Sequence, residues 1–468
     1  MSEINGNFIY ENGKKLPLYM AKNREEAYRV KKFNLINENL LMPYQSIGAY
    51  FLLTRKRAIL SYRMGLGKTP VAIVSAHYLM VNTNRRVLII CPKPLVKQWV
   101  DEISKFADSD AEIIDDFDRK YKSKWLVVNY EKIRIDGFEK FFVGDPIIIC
   151  DEATKMKNFD SILSQRFYRL CHSEYIFMLT ATPITNSPLD IWALFKQLKN
   201  DYLESSKKEF LDHYGIMKEI ELKSGRKIKI PVDWKNLDEL ADKVKPLILV
   251  KTYDQVYTQL PLKTVVDIFV EISQEEVKVY NKIRSKIYKE KGADYKLALL
   301  TYLKRFLDAP KILEKDELTE EFSTEISSKM LKLLDLVEEY KDKKIIIISQ
   351  YADVVKELGR ILETEYLYYG NISVETVENY LTEEKGILIM TDKGSYGLNL
   401  QGANILINYD LPWSDASLEQ RIGRVYRIGQ TKKVLVFNLV VEQEYLIESY
   451  IRQIIGKKRK IGKIVLKG

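Results

Sequence analysis

Short runs of consecutive apolar residues, separated by stretches of helical spacing, set the pattern of this chain. Residues 58–60, 87–91, 125–130, 146–150 and 175–180 are apolar except for Asn129 and Thr180 and do not alternate. A strand that is apolar on both faces is one covered on both faces, so these runs predict a parallel sheet with helices packed above and below. A second series runs through 344–349, 386–391, 404–409 and 433–440. From about 188 to 250, and again from 274 to about 340, amphipathic segments replace the strand signal, and a β-like run at 263–272 follows the break at Leu260-Pro261. The pattern predicts an α/β protein made of two parallel-sheet lobes with helical insertions. The expected divisions are a small appendage at 1–35, a first lobe at 36–262 with its insertion at about 188–250, and a second lobe at 263–468 with its insertion at about 274–340. Within the appendage, 7–10 and 16–20 flank Asn12-Gly13 and read as a hairpin.

In doubly wound sheets ligands bind beyond the carboxyl ends of the strands, so the segments that follow the apolar runs are where chemistry is sought. Residues 61–69 read Ser-Tyr-Arg-Met-Gly-Leu-Gly-Lys-Thr. Gly65 and Gly67 permit a tight turn, and Lys68-Thr69 opens a helical pattern. That arrangement cradles phosphates with backbone N–H groups, sends Lys68 to the outer phosphates and offers the Thr69 hydroxyl to Mg²⁺. The strict pattern asks for a small residue where Tyr62 stands, and by itself the segment also reads as an ordinary strand-to-helix turn.

Asp151-Glu152 follows the run 147–149. Asp151 is placed to hold Mg²⁺ and Glu152 to orient or deprotonate a water, whereas an isolated acidic pair would be a solvated loop. Thr180, Thr182 and Pro183 follow the next run, and on their own they read as a strand exit. Arg424 and Arg427 stand at i and i+3. On a helix they would share a face and reach one anion, as arginine fingers do; the competing reading is a solvated basic helix.

Taken in order, these segments resemble the Swi/Snf family of superfamily-two helicase-like ATPases, from about Leu41 to Leu466. Leu41-Met-Pro-Tyr-Gln45 is similar to the family's Leu-Arg-Pro-Tyr-Gln, and Met64-Gly65-Leu66-Gly67-Lys68-Thr69 reproduces its phosphate loop. Residues 90–95 with Trp99, residues 151–158 with Thr154 in place of His, residues 179–186, residues 347–351, Thr391 with 397–400, and Gln420 through Gln430 resemble its further motifs. The resemblance implies two RecA-like lobes that bind ATP and Mg²⁺ and step along DNA. It implies that Gln45 recognises adenine, that Pro92, Lys93, Trp99, Lys157, Asn158 and Thr391 touch DNA, that Thr180 and Thr182 couple hydrolysis to movement, and that Gln420 joins the two arginines in catalysis. Tyr62-Arg63 stands where the family carries acids, Asp392 replaces an Arg, Gly423 an Asp and Tyr426 a His.

Composition narrows the partners. The formal charge of +9 and pI near 8.9 favour an anionic partner such as nucleic acid over an acidic protein surface. Three widely spaced cysteines exclude a disulfide framework or zinc cluster and suit a reducing compartment. No apolar run reaches the roughly 20 residues of a membrane span, so the expectation is a soluble cytoplasmic protein of a bacterial or phage-infected cell. The expected activity is ATP-driven remodelling of branched DNA, because outside the motor only about 35 N-terminal residues and a short basic tail are left. The alternative within the same chemistry is a duplex translocase that displaces bound proteins, and outside it, a non-hydrolysing DNA-binding module.

Overall fold

The computed structural model describes residues 3–5, 8–11, 14–17, 33, 35–221, 225–256, 261–291, 296–313, 326–370, 375–392, 400–427, 429–442 and 446–466. Asn12-Gly13, Leu260, Gly397 to Asn399 and Ile428 lie outside them. The chain forms two compact units, unit 1 from Met1–Thr258 with Lys458–Gly468 and unit 2 from Gln259–Lys457.

At the N-terminus three short strands, β1 (Glu3–Asn5), β2 (Phe8–Glu11) and β3 (Lys14–Pro17), pair antiparallel in the order β1-β2-β3. The expected hairpin therefore has a third strand, and its two arms, 8–11 and 14–17, are shifted toward the turn from the expected 7–10 and 16–20. Unit 1 continues with β4 (Arg57–Tyr62), β5 (Val87–Cys91), β6 (Ala111–Ile113), β7 (Trp125–Asn129), β8 (Ile147–Asp151) and β9 (Ile176–Leu179). Every residue of β5, β8 and β9 is buried. This is the outcome of uninterrupted apolar runs, each of which must be covered by helices on both faces. The helix Val96–Ala107 shows how such cover is built. Val96, Trp99, Ile103 and Phe106 recur at helical spacing and are buried, while Lys97, Gln98 and Glu102 between them keep the opposite face polar.

The segment expected to be a helical insertion differs from that expectation. Helices Leu189–Gln197, Lys207–Tyr214 and Leu237–Val244 are present, yet between the second and third lies an antiparallel hairpin, β10 (Gly215–Glu221) and β11 (Lys227–Trp234). The reason is written in β11 as Lys-Ile-Lys-Ile-Pro-Val-Asp-Trp, an alternation of period two that a helix cannot use. A final strand, β12 (Ile248–Lys251), returns to the main sheet beside β4. The sheet has the order β12-β4-β9-β8-β5-β7-β6, and all its pairings are parallel. Thus β4, which feeds the glycine loop, lies one strand away from β8, which ends in Asp151.

Unit 2 holds β13 (Lys263–Val270), β14 (Lys344–Ser349), β15 (Leu367–Tyr368), β16 (Gly386–Thr391), β17 (Ile405–Asn408) and β18 (Val434–Val441). They form a second parallel sheet in the order β13-β18-β17-β14-β16-β15. Helices Gln274–Lys291, Lys296–Asp308 and Ser328–Glu339 occupy the stretch between β13 and β14. The last helix, Ile447–Leu466, begins in unit 2. From Lys458 onward it counts with unit 1, where Ile461 and Val465 are buried in the apolar core. The second lobe as expected, 263–468, therefore closes about ten residues before its expected end. Among the described residues no helix is long and apolar enough to cross a membrane.

Candidate active site

The glycine loop runs from the end of β4 to the helix Lys68–Thr83, whose N-cap is Gly67. Gly65 and Gly67 have φ of 74° and 72°, a left-handed conformation that costs glycine nothing and an L side chain on the order of 1 kcal/mol or more. At Gly67 there is also no room, since an added Cβ would lie 2.1 Å from Gln45 Nε2. The loop is fastened from several sides. Gln45 Nε2 and the Tyr44 hydroxyl both donate to Leu66 O, at 3.2 and 3.1 Å, and the Tyr253 hydroxyl donates to Met64 O at 2.7 Å. Leu66 is fully buried, so in this loop it acts as a plug and not as a surface that a ligand could touch.

Tyr62, the residue that broke the strict pattern, proves to be core. It is fully buried, its hydroxyl donates to Tyr44 O at 2.9 Å, and it fills the space that Gly48 leaves open, where a Cβ would meet its Oη at 2.4 Å. Arg63 extends the chain past β4 by donating its N–H to Lys251 O at 3.0 Å. Lys68 Nζ donates to Tyr62 O at 2.9 Å, which folds the ammonium back over the loop. Thr69 follows it in the first turn of the helix, half-buried.

Asp151 ends β8 and is 7% exposed. Each carboxylate oxygen has its own donor: Trp99 Nε1 reaches Oδ2 at 2.9 Å, and the Glu152 N–H reaches Oδ1 at 2.9 Å. The Tyr130 hydroxyl donates to Asp151 O at 2.8 Å and fixes the backbone below it. Burial pushes the Asp151 carboxyl up, opposed by the Trp99 N–H and by the charge of Lys68. Lys68 and Asp151 therefore feel each other's charge although they come from different strand ends. Glu152 takes φ 49° and ψ 51°, a left-handed conformation for a non-glycine residue. Such positions cost about 1–3 kcal/mol and recur where a side chain is held for function. The donor set fits Mg²⁺, because the Thr69 hydroxyl and Asp151 carboxylate are hard oxygens and that ion keeps several waters and phosphate oxygens as further ligands.

Trp99 requires a correction. Expected to touch DNA, it is 2% exposed and its indole is spent on Asp151. Its apolar ring is drawn into the core by the amphipathic helix, and its one donor finds the one carboxylate there. Of the other expected DNA contacts in unit 1, Pro92 is buried, while Lys93 is exposed at the carboxyl end of β5. Lys157 donates to Thr185 Oγ1 at 2.7 Å and Asn158 is exposed beside it. Thr180 is fully buried, donating its N–H to Leu60 O and accepting the Thr182 N–H at 3.2 Å. That places the two threonines directly against the strand that feeds the glycine loop.

In unit 2, Thr391 is the last residue of β16 and only 5% exposed, so its side chain offers little to DNA. The helix Asp415–Val425 opens on the Ser414 hydroxyl, which accepts the Ser417 N–H at 3.2 Å. It carries Gln420, half-buried, and Arg424 in its last turn, 5% exposed. Here the i, i+3 geometry needs a second correction. The helix stops at Val425, Tyr426 leaves it at φ −95° and ψ 87°, and Arg427 stands beyond its end. Gln430 secures that end by donating Nε2 to Val425 O and Ala403 O at 3.1 and 2.9 Å. The two arginines thus come from a helix terminus and the segment after it. Two residues that the sequence did not single out complete the picture, Tyr130 and Arg421. Arg421, 1% exposed, lies beside the arginines with five acceptors around it.

The family model of the SNF2-related domain matches residues 44–340, and that of the helicase conserved C-terminal domain matches 328–429. The chain is similar to an uncharacterised ATP-dependent helicase of Mycoplasma genitalium, 28% identical over 439 residues that cover 87% of this chain and 40% of that protein. It is similar to the DNA repair protein rhp54 of Schizosaccharomyces pombe, 26% identical over 86% of this chain and 56% of the relative. Among solved structures it is similar to the Sulfolobus solfataricus SWI2/SNF2 ATPase core in complex with dsDNA, at 26% identity, 94% and 95% coverage and a TM-score of 0.45. The chain spans less than half the length of the Mycoplasma relative and little more than half of the yeast one. With the first family model covering well over half of its 468 residues, the chain belongs to the family of the SNF2-related domain.

Proposed function

We propose that this chain is an ATP-hydrolysing motor on DNA. The observation that carries the reading is the placement of Lys68-Thr69 and Asp151-Glu152 at the carboxyl ends of β4 and β8, two strands of one parallel sheet with only β9 between them. Lys68 binds the outer phosphates, Gln45 lies against the loop that holds them, and Glu152 orients the attacking water. Thr69 and Asp151 would hold Mg²⁺, which would supply positive charge to the transferring phosphoryl group. Trp99 and the Glu152 N–H keep the Asp151 carboxylate in one orientation, so little reorganisation accompanies the reaction. Arg424 and Arg427 supply further charge to the transition state, a role worth roughly 10³–10⁵ in rate in characterised phosphoryl transfer.

The DNA is held mainly through its phosphates, with Lys93, Lys157 and Asn158 as the contacts in unit 1; such binding is salt-sensitive and largely independent of sequence. We further propose that the substrate is branched DNA, in fork regression or branch migration. The name of the fission-yeast relative, a DNA repair protein, supports this choice. Lys68→Ala is expected to abolish ATP hydrolysis and to leave DNA binding in place; retained hydrolysis would sink the nucleotide assignment. Hydrolysis and strand displacement measured with no DNA, single strands, duplex, forks, four-way junctions and RNA settle the substrate. Preference for forks and junctions supports branch remodelling. Stimulation by duplex with no strand separation points instead to displacement of bound proteins.

A further inference from the structure

Among the described residues of unit 2, Arg421 is a fully engaged charged side chain, and the chemistry proposed above does not use it. A guanidinium has five N–H donors in a planar fork. Here they meet five acceptors: Nε and Nη2 reach the two carboxylate oxygens of Asp392 at 2.5 and 2.8 Å, Nη1 reaches Asp410 O at 2.6 Å and Asn408 Oδ1 at 3.4 Å, and Nη2 also reaches Asp410 Oδ1 at 3.2 Å. With 1% exposure it is closed off from solvent. Its partners are the residues that leave the carboxyl ends of two strands, Asp392 after β16 and Asp410 after β17.

Asp410 is itself immobilised. It is fully buried, accepts the Ser349 hydroxyl and the Gln350 N–H at 2.5 and 2.8 Å, and lies 3.4 Å from Lys304 Nζ. Arg421 is therefore clamped to the fixed edge of the sheet. Three residues on, in the same helix, comes Arg424, whose carbonyl accepts the Leu400 N–H at 3.2 Å. Asp392 and Leu400 stand on either side of residues 393–399. Asp392 is thus tied to Arg421 and Leu400 to Arg424, about one turn apart on a single helix.

We propose that Arg421 is the positioning residue for the arginine pair: through Asp392 and Asp410 it sets the rotation and depth of the helix that carries Arg424 and leads into the segment that carries Arg427. The inference rests on the arginine role proposed above. An Arg at position 421 achieves this because a bidentate fork fixes orientation as well as distance, which a lysine at the same place does not.

The test uses the full chain, with steady-state ATP hydrolysis at saturating DNA. Asp392→Asn keeps the shape and removes half of the clamp at its more exposed partner, and Arg421→Lys keeps the charge and removes the fork. Both are expected to lower kcat about tenfold with the KM for ATP changed less than twofold, and Asp392→Glu is expected to recover most of the loss. In the Arg424→Ala, Arg427→Ala background Asp392→Asn is expected to cost nothing further, an outcome that general destabilisation would not give. Unchanged kcat in folded Asp392→Asn, or a full additional loss in the arginine-less background, would overturn the inference. If Arg421→Lys does not fold, Asp392→Asn decides alone. If the wild-type chain hydrolyses no ATP, it is the function reading that fails, whereas an active wild type with an inert Lys68→Ala and an unaffected Asp392→Asn removes only the role of Arg421.

Discussion

Two buried aspartates, each at the carboxyl end of a parallel sheet, have been given opposite surroundings. Asp151 in unit 1 is met by an indole N–H and a backbone N–H, and burial pushes its carboxyl up. Asp410 in unit 2 is as deeply buried, yet Lys304 and Arg421 outweigh the burial and hold its carboxyl well below the usual carboxylate range. One acid is oriented, and the charge of Lys68 does not outweigh its burial, as suits the cation-binding role proposed for it. The other is neutralised on the spot and belongs to the frame. The strand end alone does not make a carboxylate chemical; what decides is whether the fold supplies its counter-charge.

Exchanging each acid for its amide would break this comparison most sharply. Asp151→Asn is expected to lower kcat by about 10²–10³-fold, the scale of losing one preorganised stabilising group, with the unfolding midpoint of unit 1 unchanged or raised. Asp410→Asn is expected to do the reverse first, destabilising unit 2 by about 3–5 kcal/mol because Lys304 and Arg421 are left buried without their shared partner. Denaturant unfolding beside ATPase kinetics measures both, and equal losses of stability in the two variants would erase the distinction. A smaller effect is expected from Trp99→Phe, which keeps the ring and deletes the donor to Asp151. A hydrogen bond to a charged group is worth about 1.5–3 kcal/mol, and a tenfold fall in kcat with a native circular dichroism spectrum is the expected result.

A third carboxylate, Asp308, shares Lys329 with Glu448. Lys329 Nζ lies 2.7 Å from Asp308 Oδ1 and also pairs with Glu448; all three side chains are fully buried. Asp308 Oδ2 has no hydrogen-bond partner among the described residues. Burial pushes the Asp308 carboxyl up to about 7, helped by Asp410 and Glu448 and opposed by Lys329 and Lys304. The folded state therefore holds a proton that the unfolded chain releases near 3.8, so the stabilisation is present at low pH and is lost as pH rises toward 7. The stability of unit 2 should fall by at most about 1.4 kcal/mol per pH unit across that window, and Asp308→Asn should flatten the slope. Unfolding midpoints at pH 5, 6, 7 and 8 give the measurement, and an unchanged slope would contradict it.

Much of the fold was legible because buried parallel strands announce themselves as unbroken apolar runs. The limits 87–91, 344–349 and 386–391 coincide with observed strands. The hairpin at β10 and β11 was lost among charged residues, since its alternation is short and both of its faces are largely exposed. In the site, glycines and the acidic pair are tied to local backbone geometry, so their spacing shows in sequence. Trp99 and Arg421 act through partners 52 and 29 positions away, and no local pattern marks such pairs. The end of the helix at Val425 was missed for the same reason, because it is fixed by Gln430 and by the bond from Leu400.

The return of the chain from unit 2 to unit 1 at Lys458 has a consequence for the order of events at the ribosome. Unit 2 is a contiguous stretch, whereas unit 1 is completed only when residues 458–468 have been made. Ile461 and Val465, which sit in the same apolar cluster as Ile59 and Leu88, are synthesised some four hundred residues after them. The domain that begins first is thus the one that finishes last, and for most of synthesis the apolar surface awaiting that final helix is open to solvent and to chaperones.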